Sequence, residues 1–165
     1  MFERFDKGSG ALVVQAREEA RLLGANRMEA EHLLLALSRR TTWDAGRVLA
    51  QAGLDHDGLR HALDAERERS LEAIGVSVSA IALAERPLPA TDQPRWGASA
   101  KRAIERAMVV VKARGDRNIL PTHILLGVLH VGEGTVPRAL AATGVDTVAL
   151  AASAEATLGA ARHAS

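Results

Sequence analysis

Apolar residues recur along the chain at spacings of three and four, which is the pattern of one face of an α-helix. The first such helix is predicted over about residues 10–23, with an apolar stripe made of Leu12, Val13, Ala16, Ala20 and Leu23. Gly24 follows this stripe and is suited to the left-handed conformation that ends many helices. A second helix of this kind is predicted over about residues 99–114, and it too is followed by a glycine, Gly115.

Two other segments are apolar on almost all sides. Residues 29–40 read EAEHLLLALSRR and residues 120–131 read LPTHILLGVLHV, so an apolar run follows a single histidine in each. A helix that is apolar all round must be surrounded by other elements, so both segments are predicted to lie at the centre of a helical bundle. Pro121 falls near the first turn of the second segment, where its missing N–H group is not needed.

These helices belong to an internal repeat. A shift of 91 positions, the distance from His32 to His123, places residues 11–64 on residues 102–155 without a gap. The matching pairs include Ala16 and Ala107, Gly24 and Gly115, Leu34 and Leu125, Leu35 and Leu126, Arg47 and Arg138, and Leu59 and Leu150. Because the match runs through the whole unit, it indicates a duplicated fold rather than one shared motif.

Each unit is predicted to contain a third and a fourth helix as well. Residues suited to cap a helix start, and glycines suited to end one, mark their limits. The predicted positions are Thr42 and Thr135 for the start of the third helix, Gly53 and Gly144 for its end, and Asp55 and Asp146 for the start of the fourth. The sequence therefore predicts an all-α fold, a pseudo-two-fold double repeat of four helices each.

The two repeats are predicted to form a single domain of 165 residues with an insert between them. The predicted boundaries are about 1–64 for repeat one, 65–98 for a helical insert and linker, 99–158 for repeat two and 159–165 for a C-terminal tail. Within the insert, AERERS at 65–70 is typical of a solvated helix face. Three prolines in ERPLPATDQPRWGAS at 85–99 favour an irregular connector.

Composition narrows the classes of partner. The chain has no cysteine, which excludes disulfides and thiolate metal sites. Lys and Arg total 21 against 20 Asp and Glu, and there are two Trp, two Phe and no Tyr, so nucleic acid is not an expected partner. No apolar run approaches the roughly 18 residues of a membrane span, and the first ten residues lack the apolar stretch of a signal peptide. We therefore expect a cytoplasmic protein without a membrane partner.

No arrangement of residues points to catalysis. The six histidines lack the spacing of metal ligands, and no serine, histidine and acid or pair of acids is placed for catalysis. The phosphate loop GxxxxGK[ST] is absent, since the nearest glycine cluster, GEG at 132–134, has no lysine after it. The sequence predicts a protein that is not an enzyme and that uses neither a cofactor nor a metal.

Several motifs together resemble the N-terminal domain of the Clp/Hsp100 unfoldases, most of all that of ClpC. They are MFERF at the start, QAREEARLLG at the end of the first helix, EHLLLAL, THILLGVLHVGEG and the two LAxxG-D joints. In that family the domain is a double repeat of four helices that precedes ATPase rings. The resemblance implies a non-catalytic, protein-binding module in ATP-dependent proteolysis, whose partners are Clp ATPase or protease components, adaptors or substrate proteins.

Because the chain has no ATPase motif, it resembles either a free-standing N-terminal domain or a piece of a longer protein, and a free-standing domain is the expectation. Such a domain is expected either to capture substrates or adaptors for a Clp ring or to compete with the ring for them. The alternative hypothesis is a sensor or sequestering decoy for a small ligand, such as phosphoarginine or a cyclic peptide that targets ClpC.

The resemblance also implies candidate binding residues at the start of the second helix. Glu31 matches the family position associated with phosphorylated arginine, although the family Thr before it is Ala30 here. In the second unit the corresponding residues are Pro121 and Thr122, so the carboxylate and one N–H donor are lost. The alternative interpretation of Glu31 is an exposed acid that is favourable near a helix N-terminus.

Aromatic residues and the two repeated histidines complete the set of candidates. By the same resemblance, Phe2 and Phe5 are expected to pack near a docking surface for adaptors and cyclic peptides, or only to fix the chain terminus. Trp43 replaces a residue of the GEG turn and is either an interface anchor or packed across the repeat junction. His32 and His123 are expected to be structural, each bonded to a neighbouring loop carbonyl.

Overall fold

A computed structural model describes residues 2–77 and 93–163. These ranges contain eight α-helices, two strands of two residues each and one 3-10 turn, Phe2–Arg4. The helices are α1 (Lys7–Leu22), α2 (Ala30–Arg39), α3 (Asp44–Gln51), α4 (His56–Ala73), α5 (Ala98–Arg114), α6 (Pro121–Leu129), α7 (Thr135–Thr143) and α8 (Thr147–His163). The strands are β1 (Arg27–Met28) and β2 (Arg95–Trp96). The predicted all-α double repeat is confirmed.

The first helix of each repeat ends at the predicted glycine. Gly24 and Gly115 both adopt left-handed backbone angles, with φ of 67° and 69°. Helix α1 begins at Lys7, earlier than predicted, because the Asp6 carboxylate caps it by accepting the Ser9 N–H group at 2.7 Å. The extra turn brings the chain start against the other repeat.

The later helix starts agree with the sequence only in part. The fourth helices begin as predicted, because the Asp55 carboxylate accepts the Gly58 N–H group and the Asp146 carboxylate accepts two N–H groups of the first turn of α8. The cap of α3 is Trp43, one residue later than the predicted Thr42, whereas the cap of α7 is Gly134, one residue earlier than the predicted Thr135. Neither cap residue provides a side-chain hydrogen bond to its helix.

The fourth helices also extend beyond the predicted repeats. Helix α4 continues to Ala73, so residues 65–73 belong to it and not to an insert. The predicted solvated face at 65–70 is wrong at Glu66, which is buried and pairs with Arg138 of repeat two. Helix α8 likewise includes most of the predicted tail. Residues 78–92, in the middle of the predicted insert and linker, lie outside the described part of the chain.

The two apolar helices lie at the centre of one shared core. Leu34 of α2 and Leu125 of α6 are both fully buried, as the apolar pattern predicted. Helix α6 approaches α5 so closely that a Cβ atom on Gly127 would lie 2.1 Å from the Ala103 carbonyl oxygen. The corresponding residue of α2 is Ala36, so this close approach is particular to repeat two.

The two repeats exchange their fourth helices. Helix α4 packs against α2 of its own repeat and against α7 of the other, and α8 packs against α6 and against α3. The third helix of each repeat is therefore covered by the fourth helix of its neighbour. Because apolar residues of both repeats bury one another in this way, neither repeat has a complete core alone.

Short backbone pairings join the first part of each repeat to the other repeat. Strand β1 pairs in parallel with β2, which places Met28 beside Trp96. Phe5 forms the equivalent parallel bridge with Ile119, since the shift of 91 positions places Phe5 on Trp96. These pairings bring the start of α5 next to the start of α2, and the start of α1 next to the start of α6.

Candidate functional site

Two surface grooves lie at equivalent places in the two repeats. Groove one has a volume of about 460 Å³ and lies where the start of α2 meets the starts of α5 and α7. Groove two has a volume of about 370 Å³ and lies where the start of α6 meets the starts of α1 and α3. Groove one is lined by polar residues that include Glu29, Glu31, Ser99, Arg102 and Glu133. The side chains that line groove two include Asp6, Thr42, Trp43, Asp44, Pro121 and Thr122.

The structure places three of the candidate binding residues in these grooves. Glu31 lies in groove one, whereas Trp43 and Thr122 lie together in groove two. Phe5 is half-buried and packs against the core beside the Ile119 bridge. Phe2 begins the 3-10 turn, but its side chain lies outside the described part of the molecule.

A hydrogen-bonded network that the sequence analysis missed closes one side of groove one. The Glu29 carboxylate accepts the Ser99 N–H group at 2.9 Å and the Ser99 hydroxyl at 2.6 Å, while the Ser99 oxygen accepts the Ala30 N–H group at 2.9 Å. Glu29 thus caps α5 from the other repeat. A Cβ atom on Gly97 would lie 2.0 Å from this carboxylate, so any other residue there would displace the Glu29 side chain. The sequence offers only one sign of this network, the acidic residue Glu29 just before EHLLLAL. Its partner Ser99 is 70 residues away, so the contact could not be predicted from local sequence.

Groove one carries charges of both signs. Glu31 is half-buried, and this burial raises the pKa of its carboxyl group above the usual value. Arg102 lines the same groove, and within the described ranges neither residue forms an ion pair. Groove one therefore presents a carboxyl group and a guanidinium cation to the same ligand.

Groove two has a different chemistry at the equivalent positions. Pro121 has no N–H group and packs beside Gly8, where a Cβ atom would lie 3.1 Å from Pro121 Cγ. Thr122 replaces the acid and is only 4% exposed, and its hydroxyl has no hydrogen-bond partner among the described residues. Trp43 forms a wall of the groove, and the Arg40 guanidinium lies 5.3 Å from the centre of its ring.

The repeated histidines hold the starts of the central helices. His32 Nδ1 accepts the Glu29 N–H group at 2.8 Å, and His123 Nδ1 accepts the Leu120 N–H group at 3.0 Å. The partner is thus a backbone N–H group and not the carbonyl that the sequence analysis expected, because a helix start has N–H groups to satisfy. Since Nδ1 accepts, Nε2 carries the proton of the neutral ring.

The two histidines differ at Nε2. His123 Nε2 lies 3.0 Å from the Asp116 carboxylate, whereas His32 Nε2 is buried and has no partner within the described ranges. The residue of repeat one that corresponds to Asp116 is Ala25. Burial lowers the pKa of both rings, and it lowers the pKa of His32 to about 4. Both rings are therefore neutral at pH 7.

Within the described ranges, no helix is long and apolar enough to cross a membrane. The same ranges contain no group of three or more His, Cys, Asp or Glu residues placed to hold a metal ion.

Comparison with known proteins identifies the double repeat. The family described as the Clp repeat N-terminal domain matches residues 4–116 and 95–165. The chain is 33% identical over 146 residues to the chloroplastic chaperone protein ClpC1 of Oryza sativa and, over the same length, to ClpC1 of Arabidopsis thaliana. These matches cover 88% of this chain and 14% of each relative, so the chain spans about one seventh of their length.

Solved structures agree with this assignment. The N-terminal domain of the chaperone ClpD from Arabidopsis thaliana superposes with a TM-score of 0.71 at 26% identity, covering 96% of this chain and 97% of that one. The N-terminal domain of Hsp104 from Candida albicans shares the fold, with a TM-score of 0.63 at 17% identity over 92% of this chain and 89% of that one. The chain belongs to the Clp repeat N-terminal domain family, as motifs such as EHLLLAL and THILLGVLHVGEG indicated.

Proposed function

We propose that this domain is a non-catalytic module that binds protein substrates or adaptors in ATP-dependent proteolysis. It either delivers these partners to a Clp ATPase ring or competes with the ring for them. The observation that carries the proposal is the pair of open grooves at the junction of the repeats, where helix starts of both repeats meet. Binding residues concentrate at such positions, where a rigid scaffold presents helix starts.

A degradation assay in trans tests this function. A purified Clp ring and protease from the same cells would degrade a fluorescent, adaptor-dependent substrate while this domain is added in increasing amounts. We expect delivery to raise the rate and competition to lower it, with a saturable dependence on the domain. The double change Glu31→Ala and Trp43→Ala should weaken the effect, whereas Lys112→Ala, at an exposed position far along α5, should not. An unchanged rate at every concentration would contradict the proposal.

A second candidate is a sensor or decoy for phosphoarginine. Carboxylates pair with guanidinium groups and arginine pairs with phosphate, so the presence of Glu31 and Arg102 in groove one supports this candidate. The Ala30 N–H group is already bonded to Ser99, so the phosphate would depend on Arg102 more than on the helix start. Calorimetry with free phosphoarginine should give heat with the wild type, and little or none with Glu31→Ala or Arg102→Ala. Absence of heat with the wild type would remove this candidate.

A cyclic peptide that targets ClpC is the other ligand to test for a decoy role. The expected contact surface is the chain start, where Phe5 packs beside the Ile119 bridge. A peptide that binds there should lose affinity with Phe5→Leu, which keeps an apolar side chain but removes the ring. Equal affinity for both proteins would place the peptide elsewhere.

A further inference from the structure

We propose that an apolar pocket at the end of α6 binds one side chain of leucine or phenylalanine size from a protein partner. The pocket lies where the end of α6 meets α7 and the start of α8, and it has a volume of about 170 Å³. None of the described residues that line it carries a charge, and they include Leu129, Val131, Val136, Pro137, Leu140 and Val145. The inference rests on the proposed protein-binding function and adds an apolar contact point to it.

The equivalent surface of repeat one is polar. Three residues that line the pocket correspond to polar residues of repeat one, namely Leu129 to Ser38, Val131 to Arg40 and Thr147 to His56. A surface groove of repeat one is lined by these polar residues together with Arg39, Asp55 and Asp57. The apolar opening is therefore a property of repeat two and not a consequence of the fold that both repeats share.

An ion-pair cluster closes this junction in repeat one. Glu19 of α1 is 2% exposed, and its carboxylate accepts the Arg39 Nε–H group and lies 3.2 Å from His56 Nε2. The cluster links α1 to the end of α2 and the start of α4. The corresponding residues of repeat two are Val110, His130 and Thr147. No acid is among them, so repeat two cannot form this cluster.

The backbone also packs differently at the two junctions. In repeat one α3 lies directly against the end of α2, because a Cβ atom on Gly46 would overlap the Arg40 carbonyl oxygen. The corresponding residue of α7 is Pro137, whose ring needs the space that Gly46 leaves to this carbonyl. The end of α6 therefore cannot approach α7 as closely as the end of α2 approaches α3, and Pro137 becomes part of the pocket wall.

The size of the pocket fits one large apolar side chain. An apolar cavity of roughly 150 Å³ is large enough to hold a benzene molecule. A volume of about 170 Å³ therefore accommodates a phenyl ring or the branched end of a leucine. Such a group gains free energy by leaving water, whereas an amide or a charged group would lose its hydration without obtaining a partner.

The surroundings of the pocket indicate a polypeptide as the occupant. Val131 and Val136 line both the pocket and groove one, so the two openings adjoin. A partner chain that lies in groove one therefore reaches the pocket within a few residues. Next to Thr147, Val148 is 78% exposed, the largest fraction among the exposed large apolar side chains of the described residues. Its counterpart in repeat one is Asp57, so apolar surface at this place is again particular to repeat two.

Peptide titrations followed by NMR test the pocket. Eight blocked peptides would each contain one arginine, for groove one, and one leucine two to five residues before or after it in a Gly-Ser chain. The signals to follow are the backbone N–H groups of Leu129, Ala141 and Val145 in the ¹⁵N-labelled protein. We expect at least one peptide to shift these signals in a saturable way. Replacing its leucine by asparagine, which has a similar shape, should weaken binding roughly tenfold, because the buried apolar area is lost.

Matched variants locate the binding. Ala141 is exposed and lines the pocket, so Ala141→Leu fills the pocket from its rim. Ala50→Leu makes the same change at the equivalent exposed position of α3. We expect Ala141→Leu to weaken the leucine peptide about fivefold, because the added side chain occupies the space of the ligand, and Ala50→Leu to leave the affinity unchanged.

Several results would overturn the proposal. They are equal affinities of the leucine and asparagine peptides, unmoved pocket signals with every peptide, or an effect of Ala50→Leu as large as that of Ala141→Leu. Sedimentation velocity of the free domain tests another occupant, since a dimer that Ala141→Leu dissociates would assign the pocket to a second copy of this chain. The degradation assay would still detect protein binding through the grooves in each case, so the two hypotheses fail separately.

Discussion

The starts of α2 and α6 have the same backbone arrangement and different surface chemistry. In both, a histidine at the third helical position accepts the N–H group of the cap residue through Nδ1. The cap position and the second helical position differ, because repeat one has Glu29 and Glu31 there and repeat two has Leu120 and Thr122. Each groove is completed by residues of the other repeat.

The difference teaches which positions were free to change after the duplication. A histidine that satisfies a buried helix start is costly to replace, because the N–H group it serves would remain unpaired. The residues that face the groove carry no such obligation, so they are able to diverge toward different ligands. The two helix starts therefore share one backbone arrangement and present different groove residues.

The largest expected effect concerns the close contact between α5 and α6. Gly127→Ala places a methyl group on the Ala103 carbonyl oxygen, so we expect it to lower the free energy of unfolding by about 3 kcal/mol. The reverse change at the equivalent position, Ala36→Gly, should cost only about 1 kcal/mol, the usual cost of glycine within a helix. Urea denaturation of both variants measures this asymmetry, and equal losses would contradict it.

The second prediction concerns the acid sensitivity of the His32 helix start. The pKa of His32 falls from 6.5 to about 4 in the fold, so the unfolded chain binds a proton that the native state does not. Stability from this ring is complete above pH 6.5 and is lost as the pH falls from 6.5 to about 4, by up to roughly 3 kcal/mol. His32→Gln retains an acceptor but does not titrate in this range. Urea denaturation between pH 7 and pH 4 should show a shallower decline for the variant than for the wild type.

The third prediction concerns the network that closes groove one. Ser99→Ala removes two hydrogen bonds and leaves the Ala30 N–H group unpaired, so we expect a loss of about 1.5 kcal/mol in the free energy of unfolding. The equivalent residue in repeat one is Gly8, which forms no such network, and Gly8→Ala should cost less than about 1 kcal/mol. Thermal unfolding with both variants compares the two junctions. A loss for Gly8→Ala that equals the loss for Ser99→Ala would show that packing, not the network, matters here.

The smallest effect concerns the missing acid of repeat one. Ala25 follows Gly24 with the same backbone that places Asp116 after Gly115, so Ala25→Asp should bring a carboxylate to His32 Nε2. We expect a gain of about 1 kcal/mol at pH 7, because a buried N–H group obtains a partner.

Two measurements sharpen this prediction. NMR titration should show a higher pKa for His32 in the Ala25→Asp variant, since the new charge favours the protonated ring. The control Asp116→Ala should remove at least about 1 kcal/mol from the wild type, because it leaves His123 Nε2 unpaired and also breaks the ion pair between Asp116 and Arg114. A variant with an unchanged His32 pKa and no gain in stability would show that the two helix ends differ in ways that the backbone angles do not reveal.

Much of the fold could be predicted because its causes are local. The burial of Leu34 and Leu125 follows from runs that are apolar on every side. The capping by Asp55 and Asp146 follows from a short acidic side chain placed directly before a helix. The start of the third helix could not be predicted, because no side chain caps it and the chain enters it at Trp43 instead of the preferred Thr42.

The candidate site was predicted less completely than the fold. Glu31, Trp43 and Thr122 do lie at grooves, but the sequence did not indicate that the last two share one. The Glu29 cap on α5 was missed, because the residue that it contacts belongs to the other repeat. Glu66 was missed for the same reason, since its partner Arg138 lies on a helix of repeat two.

By itself, the sequence determined the helices, the duplication and the central position of the two leucine-rich segments. Periodicity and capping act within a few residues and act on each repeat separately, so they can be read along the chain. Only the tertiary structure decided the exchange of α4 and α8 between the repeats and the composition of the two grooves. Both depend on side chains that are distant in sequence and meet only when the apolar faces of the two repeats are buried against each other.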